Sequence, residues 1–426
     1  MFLCKAIKKC MNRMVGKMHH IGGRAMRKKI GIGYEDYKEF IDNDMYYVDK
    51  TPLIRDILER GGKVTLFTRP RRFGKTLALS MLKTFFEKEC GRDGKPVDNS
   101  RYFEGMKVMD AGEQVLSKMG KFPVINLSLK SAKQPDFRTA FRTLRDEIIY
   151  EFRRHSYLWE TEVLPVKKRE ELIELQRSAG DDWLDDEENV EKEACRYAMA
   201  LKILSEALKD YHGENVIILL DEYDIPLENA YFEGFYRQMV NFICSLFGSS
   251  LKTNDALEMA VIMGCLRISQ DSLFTGLNHL EISSVYNNGY EEAFGFTQEE
   301  TKAMLREYGM ADWIPEAKEW YGGYLFGRTE IYNPWSVSNY VASVALKGMR
   351  TPQLFLVDTS SNKVIKDLVW QADSSVKEKL DILIGGGTIE KRIHEDITYD
   401  NVHESEDNLW NFLFSMGYMG MVSERS

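Results

Sequence analysis

Apolar residues fall into two rhythms along this chain. Short continuous runs occur at Val64–Phe67, Pro123–Leu129, Asn215–Leu220, Ala260–Met263 and Leu280–Val285. Runs of this kind, rich in β-branched residues, predict strands buried on both faces of a parallel sheet. Between them the apolar residues recur every three or four positions. Leu77, Met81 and Phe85 are four apart, with Leu79, Leu82 and Phe86 beside them; Phe137, Phe141, Leu144, Ile148 and Phe152 repeat the pattern. That spacing predicts amphipathic helices. A shorter helix is predicted over Leu53–Arg60, with Thr51 and Pro52 at its N-cap and first position and Gly61-Gly62 at its end. Strands alternating with helices predict an α/β doubly wound sheet. Beyond Phe296 the rhythm changes. Thr297-Gln298-Glu299-Glu300 has the spacing of a capping box, and helices with aromatic-rich turns are predicted to about Leu368. Gly385-Gly386-Gly387 breaks the pattern before a last helical stretch, Asn408–Tyr418.

Composition adds bounds. The chain has 426 residues, 44% hydrophobic and 29% charged, which is ordinary for a soluble protein of two or three domains. The net charge of −9 is unevenly spread, because the first 34 residues carry nine Lys or Arg and no acid. Residues 1–30 are therefore expected to be a basic, loose tail, from an over-extended start. The acidic remainder argues against a general nucleic-acid coat. No apolar run approaches the roughly 18 residues of a membrane span. Six cysteines show no C-x-x-C spacing, so a reducing, cytoplasmic compartment is expected and no structural metal. The acidic stretch 181–193 lacks regular ligand spacing and reads as a solvated loop or helix end.

Candidate chemistry is concentrated in Lys63–Phe86, KVTLFTRPRRFGKTLALSMLKTFF. A strand, a tight basic turn, Gly74-Lys75-Thr76 and a helix follow one another, which is the layout of a loop that holds nucleotide phosphates. Gly74 permits backbone dihedrals that a side chain would forbid. The N–H groups and dipole at the helix start favour an anion. Lys75 can reach the β- and γ-phosphates, and the Thr76 hydroxyl can ligate Mg²⁺. The first glycine of the usual G-x-x-x-x-G-K-[ST] pattern is replaced by Arg69. At least one of Arg69, Arg71 and Arg72 is expected to face the phosphates.

The run Asn215–Leu220 ends in Asp221-Glu222-Tyr223-Asp224. Asp221 would hold Mg²⁺, and Glu222 would polarise the attacking water as general base. The two segments are expected to lie side by side as adjacent strand edges. Met263 occupies the slot where a polar γ-phosphate sensor would be expected; Arg267, just beyond, reads either as a charge sensor or as a surface arginine. Asn362-Lys363-Val364-Ile365 lacks the fourth residue of a guanine-reading motif.

Together these residues resemble the AAA-ATPase-like family of bacterial and archaeal proteins, whose members often carry a C-terminal PD-(D/E)XK nuclease-like domain. The resemblance rests on Tyr47-Val48-Asp49-Lys50-Thr51, RPRRFGKT, ILLDEYD, SLFTGLNHL, FGFT, WYGGYLFG, YNPWSV and DTSSN. Family members share the Arg-Pro-Arg-Arg substitution before Phe-Gly-Lys-Thr. The resemblance implies an additional-strand P-loop ATPase core over 31–290, a helical or winged-helix-like lid over 291–365, and a linker with the start of a truncated nuclease-like region over 366–426. The implied cofactors are ATP and Mg²⁺. Nucleotide contacts are expected over Arg71, Arg72, Phe73, Gly74, Lys75, Thr76 and Leu77, metal contacts at Thr76 and Asp221, and catalysis by Glu222, Lys75 and Arg267. The reading is an ATP-driven conformational switch acting on a protein client. Two others stand beside it: a nucleotide-binding signalling or interaction module with little hydrolysis, and the ATPase part of a DNA-processing or defence protein, whose partner would be DNA.

Overall fold

The computed structural model describes residues 27–91, 95–177, 186–266, 280–347, 351–353, 355, 373–394, 402 and 404–419. Five apolar runs become a parallel sheet: β1 (Val64–Thr68), β2 (Val124–Ser128), β3 (Val216–Asp221), β4 (Leu257–Gly264) and β5 (Leu280–Ser283). Their order is β2-β3-β4-β1-β5. All pairs are parallel, with Leu66 beside Ile262 and Leu219 beside Val261. β4 thus stands between β1 and β3. The two chemistry-bearing strands are not adjacent, contrary to the side-by-side expectation, and the extra strand is the one that an additional-strand P-loop core requires.

Alternate residues of each strand enter different cores, because successive side chains point to opposite faces. Leu66, Ile125, Ile218, Leu220 and Ile262 join one buried cluster; Phe67, Val124, Ile217, Leu219 and Val261 join the other. Helices α1 (Pro52–Arg60) and α2 (Lys75–Phe86) cover the second face. The first face is covered by α3 (Phe137–Arg154), α4 (Ala200–His212), α5 (Ile225–Glu233) and α6 (Tyr236–Phe247). Residues Val216–Asp221 are all buried, which explains why that run carries no polar alternation. The edge strand β2 is closed by α3: Glu151 accepts from the Asn126 N–H at 2.8 Å, and Arg154 donates to the Val124 carbonyl. Side chains thereby fill the pairing positions of an exposed edge.

Gly61 ends α1 in the left-handed region, as expected, but Thr51 does not cap it. Its hydroxyl donates to Asp49 at 2.6 Å and accepts from the Val108 N–H at 3.1 Å, tying the start of α1 to a neighbouring turn. The described end of the acidic stretch is a helix start. Asp186 caps it by accepting from Glu188 N–H at 3.0 Å.

After the parallel sheet come β6 (Phe296–Thr297), α7 (Gln298–Glu307), α8 (Ile314–Tyr321), β7 (Tyr324–Phe326), β8 (Thr329–Tyr332) and α9 (Pro334–Lys347). β7 and β8 form an antiparallel hairpin, and β8 returns beside β6 to give the order β6-β8-β7. A strand, two helices and a returning hairpin thus follow the parallel core, where the resemblance implied a helical or winged-helix-like segment. Thr297 and Glu300 form the full capping box at the start of α7. Two further helices, α10 (Ser374–Ile384) and α11 (Glu406–Ser415), place Val376, Leu383, Leu409, Trp410 and Leu413 in the first core. Among the described residues no helix is long and apolar enough to cross a membrane.

Candidate nucleotide site

At the C-terminal end of β1 the chain turns sharply into α2. Gly74 takes φ +84°, a conformation that L side chains rarely adopt. From the start of α2, Lys75 points back under the loop and is only 7% exposed. Its ammonium donates to the carbonyls of Arg69 at 2.9 Å and Pro70 at 3.1 Å, and lies 3.4 Å from the Cys265 sulfur. The Thr76 hydroxyl donates to Asp221 Oδ2 at 2.6 Å. That bond joins the loop to the end of β3 across the intervening β4.

The turn after β3 is strained in a defined place. Glu222 has φ +52°, and its N–H donates to Asp221 Oδ1 at 3.0 Å. A left-handed non-glycine residue costs about 1–2 kcal/mol. Here it sends the Glu222 side chain into a cavity of about 450 Å³ shared with Gly74, Lys75 and Thr76. Burial pushes the Asp221 and Glu222 carboxyls above the usual range; the Asp221 charge adds to the rise at Glu222, while the Lys75 ammonium pulls both down. Lys75, Thr76, Asp221 and Glu222 therefore form one electrostatic unit.

The other expected site residues are distributed differently. Arg71 lines the cavity, and its Nη2 donates to Glu228 on α5 at 2.5 Å. Arg72 also lines it, at φ +65°, with its guanidinium 4.0 Å above the Trp335 ring on α9. Phe73 gives the cavity its backbone, but its side chain is buried. The ring packs on Tyr324 and Phe326 at centroid distances of 5.0 and 5.2 Å, and its carbonyl accepts from Gly295 N–H at 3.2 Å. Leu77 contributes to the wall. Arg267 lies outside the described residues, as do Asn362 and Lys363.

Arg69 turns away from the cavity altogether. Fully buried, it donates to the carbonyls of Thr68 at 2.9 Å and Ser283 at 2.7 Å, and to the Ser283 hydroxyl at 3.1 Å. Burial pulls its guanidinium down to about 9. The arginine in place of the motif's first glycine thus cross-links β1 to β5. Met263 also faces away, into the apolar core beside Phe67. The strand's register brings Cys265, two residues on, to Lys75. Burial raises that thiol to about 11.

Three parts were not read from the sequence. Asp224 accepts from the N–H groups of Cys265 at 2.8 Å and Leu266 at 3.2 Å, fixing the chain as it leaves β4. Tyr223 donates to the Leu266 carbonyl, and a Cβ on Gly264 would meet its ring at 2.4 Å. Further cavity lining includes Gly31–Glu35, Tyr47 and Lys50, and Pro334, Trp335 and Ser338. Only Tyr223 and Asp224, standing in D-E-Y-D, had a local signal.

An additional-strand parallel sheet with a lysine-bearing loop facing a strand-end Asp-Glu defines a P-loop NTPase-like architecture. Residues 31–274, more than half the chain, match the family described as "Predicted AAA-ATPase", and the chain belongs to that family. It is also similar to a protein of Azotobacter chroococcum mcd 1 described as "Uncharacterized protein in vnfD 5'region". The two are 27% identical over 317 residues, covering 73% of this chain and 51% of that protein. The chain spans about half the length of this curated relative.

Proposed function

We propose that the cavity between α2 and the end of β3 binds ATP with Mg²⁺, and that the chain hydrolyses it. The observation that carries this reading is the 2.6 Å bond between Thr76 and Asp221, with Lys75 and Glu222 on the same cavity. Among the described residues no group of three or more acids, histidines or cysteines could cage a metal. One hydroxyl and one buried carboxylate nevertheless suit Mg²⁺, a hard ion usually held by one or two protein oxygens together with substrate phosphates. The metal would neutralise charge on the β- and γ-oxygens.

The chain's own residues divide the remaining work. Lys75 exchanges its loop carbonyls for phosphate oxygens. The N–H groups at the start of α2 hold the same anion. Glu222, whose carboxyl burial raises above the usual range, takes the proton of the attacking water. Arg72 and Phe73 link this event to the segment 291–365 through Trp335, Tyr324 and Gly295, so that segment acts as the lid of the core 31–290. Titrating ATP calorimetrically with and without Mg²⁺, then assaying phosphate release on the same sample, tests the reading. Mg²⁺-dependent binding followed by turnover is expected; binding indifferent to Mg²⁺ would count against it.

One observation favours a second reading, a nucleotide-binding module with little hydrolysis. The residue that reaches Lys75 from beyond β4 is Cys265, and a thiol is a weak hydrogen-bond donor. A γ-phosphate sensed so weakly would turn over slowly. Tight Mg²⁺-dependent binding without phosphate release would select this reading.

A further inference from the structure

The Arg71–Glu228 pair occupies an unusual position. Arg71 belongs to the loop and faces the cavity, while its partner is buried on α5, at the back of the site. The two side chains are 21% and 5% exposed. Glu228 Oε2 accepts from Arg71, but Glu228 Oε1 is buried with no hydrogen-bond partner. Charges facing this carboxyl come from three directions: Arg71 from the loop, Lys133 from the segment after β2, and Asp224 from the turn before α5. The Cys265 thiol faces it from beyond β4. Asp224 adds repulsion, and its own Oδ1 also lacks a partner. Glu228 is thus a half-satisfied buried carboxylate, bonded through one of its oxygens to a phosphate-binding type of side chain.

We propose that Glu228 is a positioning residue: it holds Arg71 back from the phosphates, and Arg71 leaves it only for a triphosphate. The inference rests on the nucleotide reading above and adds to it a basis for preferring ATP over ADP. Breaking a buried ion pair strands the remaining charge unless something replaces the lost partner. The third phosphate supplies further oxygens for the planar guanidinium fork to engage, and extra negative charge. A diphosphate supplies less of both, so Arg71 stays on Glu228. Once Arg71 has moved, Glu228 is buried without its cation and takes a proton from solvent. Its carboxyl is already above the usual range, through burial first and Asp224 second, with Arg71 opposing. ATP binding therefore draws a proton, and ATP affinity falls as pH rises through this group.

The test is calorimetry on the full chain with Mg²⁺-ATP and Mg²⁺-ADP, for wild type, Glu228→Gln, Arg71→Ala and the double variant. Buffers of different ionisation heat report the protons bound. Glu228→Gln is expected to tighten ATP about 10-fold and ADP by less than about 3-fold. In the Arg71→Ala background the same change should do nothing to either. Near pH 7 the wild type should take up more protons with ATP than with ADP, a difference that Arg71→Ala removes. This last comparison needs no Glu228 variant and decides the matter if that variant misfolds. Equal effects of Glu228→Gln on both nucleotides, an undiminished effect without Arg71, or equal proton uptake would overturn the proposal while leaving the nucleotide site intact. A wild type that binds neither nucleotide would overturn both.

Discussion

Lys75→Ala should weaken ATP binding by about 100-fold or more, equivalent to about 2.8 kcal/mol. The lysine is anchored at the N-terminus of a 12-residue helix and buried against the loop that it serves. Its ammonium is shared between the carbonyls of Arg69 and Pro70. These are neutral acceptors, whereas phosphate oxygens carry the opposite charge and add a direct Coulomb attraction to the ammonium. The exchange therefore favours the ligand. Alanine loses the charge and leaves both carbonyls without that donor, yet the glycine turn and α2 remain. The fold should survive, which circular dichroism can check, while calorimetry reads the lost affinity. Unchanged affinity in a folded variant would remove Lys75 from the site.

Glu222→Gln should separate binding from chemistry. Glutamine keeps the size and the left-handed backbone position, so ATP affinity should stay within a few-fold of wild type. It cannot accept the water's proton, so phosphate release should fall by about 10²–10⁴, the usual worth of a general base. Stability offers an independent readout. The folded-state pKa of Glu222 is raised above the free value of about 4.3 by burial and by Asp221. The native chain therefore binds this proton more tightly than the unfolded chain. The group's stabilising contribution is complete below about pH 4.3 and is lost as pH rises through the raised pKa. Unliganded Glu222→Gln should thus melt above wild type at pH 7, with the gap closing near pH 4. Undiminished turnover, or a melting difference independent of pH, would contradict this assignment.

Sequence and structure agree most closely where burial is uniform. Val216–Asp221 is inaccessible on both faces, so its apolar run could only be a central strand. Gly74, Lys75, Thr76 and Glu222 line one cavity and Asp221 bonds to Thr76, a gathering legible because each sits at a strand–turn–helix junction whose pattern is local; the nucleotide role is the proposal above. Sheet order was not local: the extended runs say nothing about which neighbour each strand takes, and β4 separates the two carriers of the site. Side-chain direction at the end of β4 was missed for a related reason. Met263 follows the pleat into the core, and the chain must continue to Cys265 before it meets Lys75. The side-chain partners of Arg69 and Phe73 were hidden by their motif: the Arg69 guanidinium bonds to Ser283, and the Phe73 ring packs on the β7–β8 hairpin while its backbone lines the cavity. Glu228 and Trp335 lie 157 and 263 positions from their arginine partners, and only the folded chain brings them together.

The most direct measurement is a crystal structure with Mg²⁺ and a non-hydrolysable ATP analogue. The account predicts the triphosphate over the start of α2, with the Lys75 ammonium moved from its loop carbonyls onto the terminal phosphates and the metal beside Thr76 and Asp221. A nucleotide bound in another cavity, with Lys75 still on the Arg69 and Pro70 carbonyls, would contradict it.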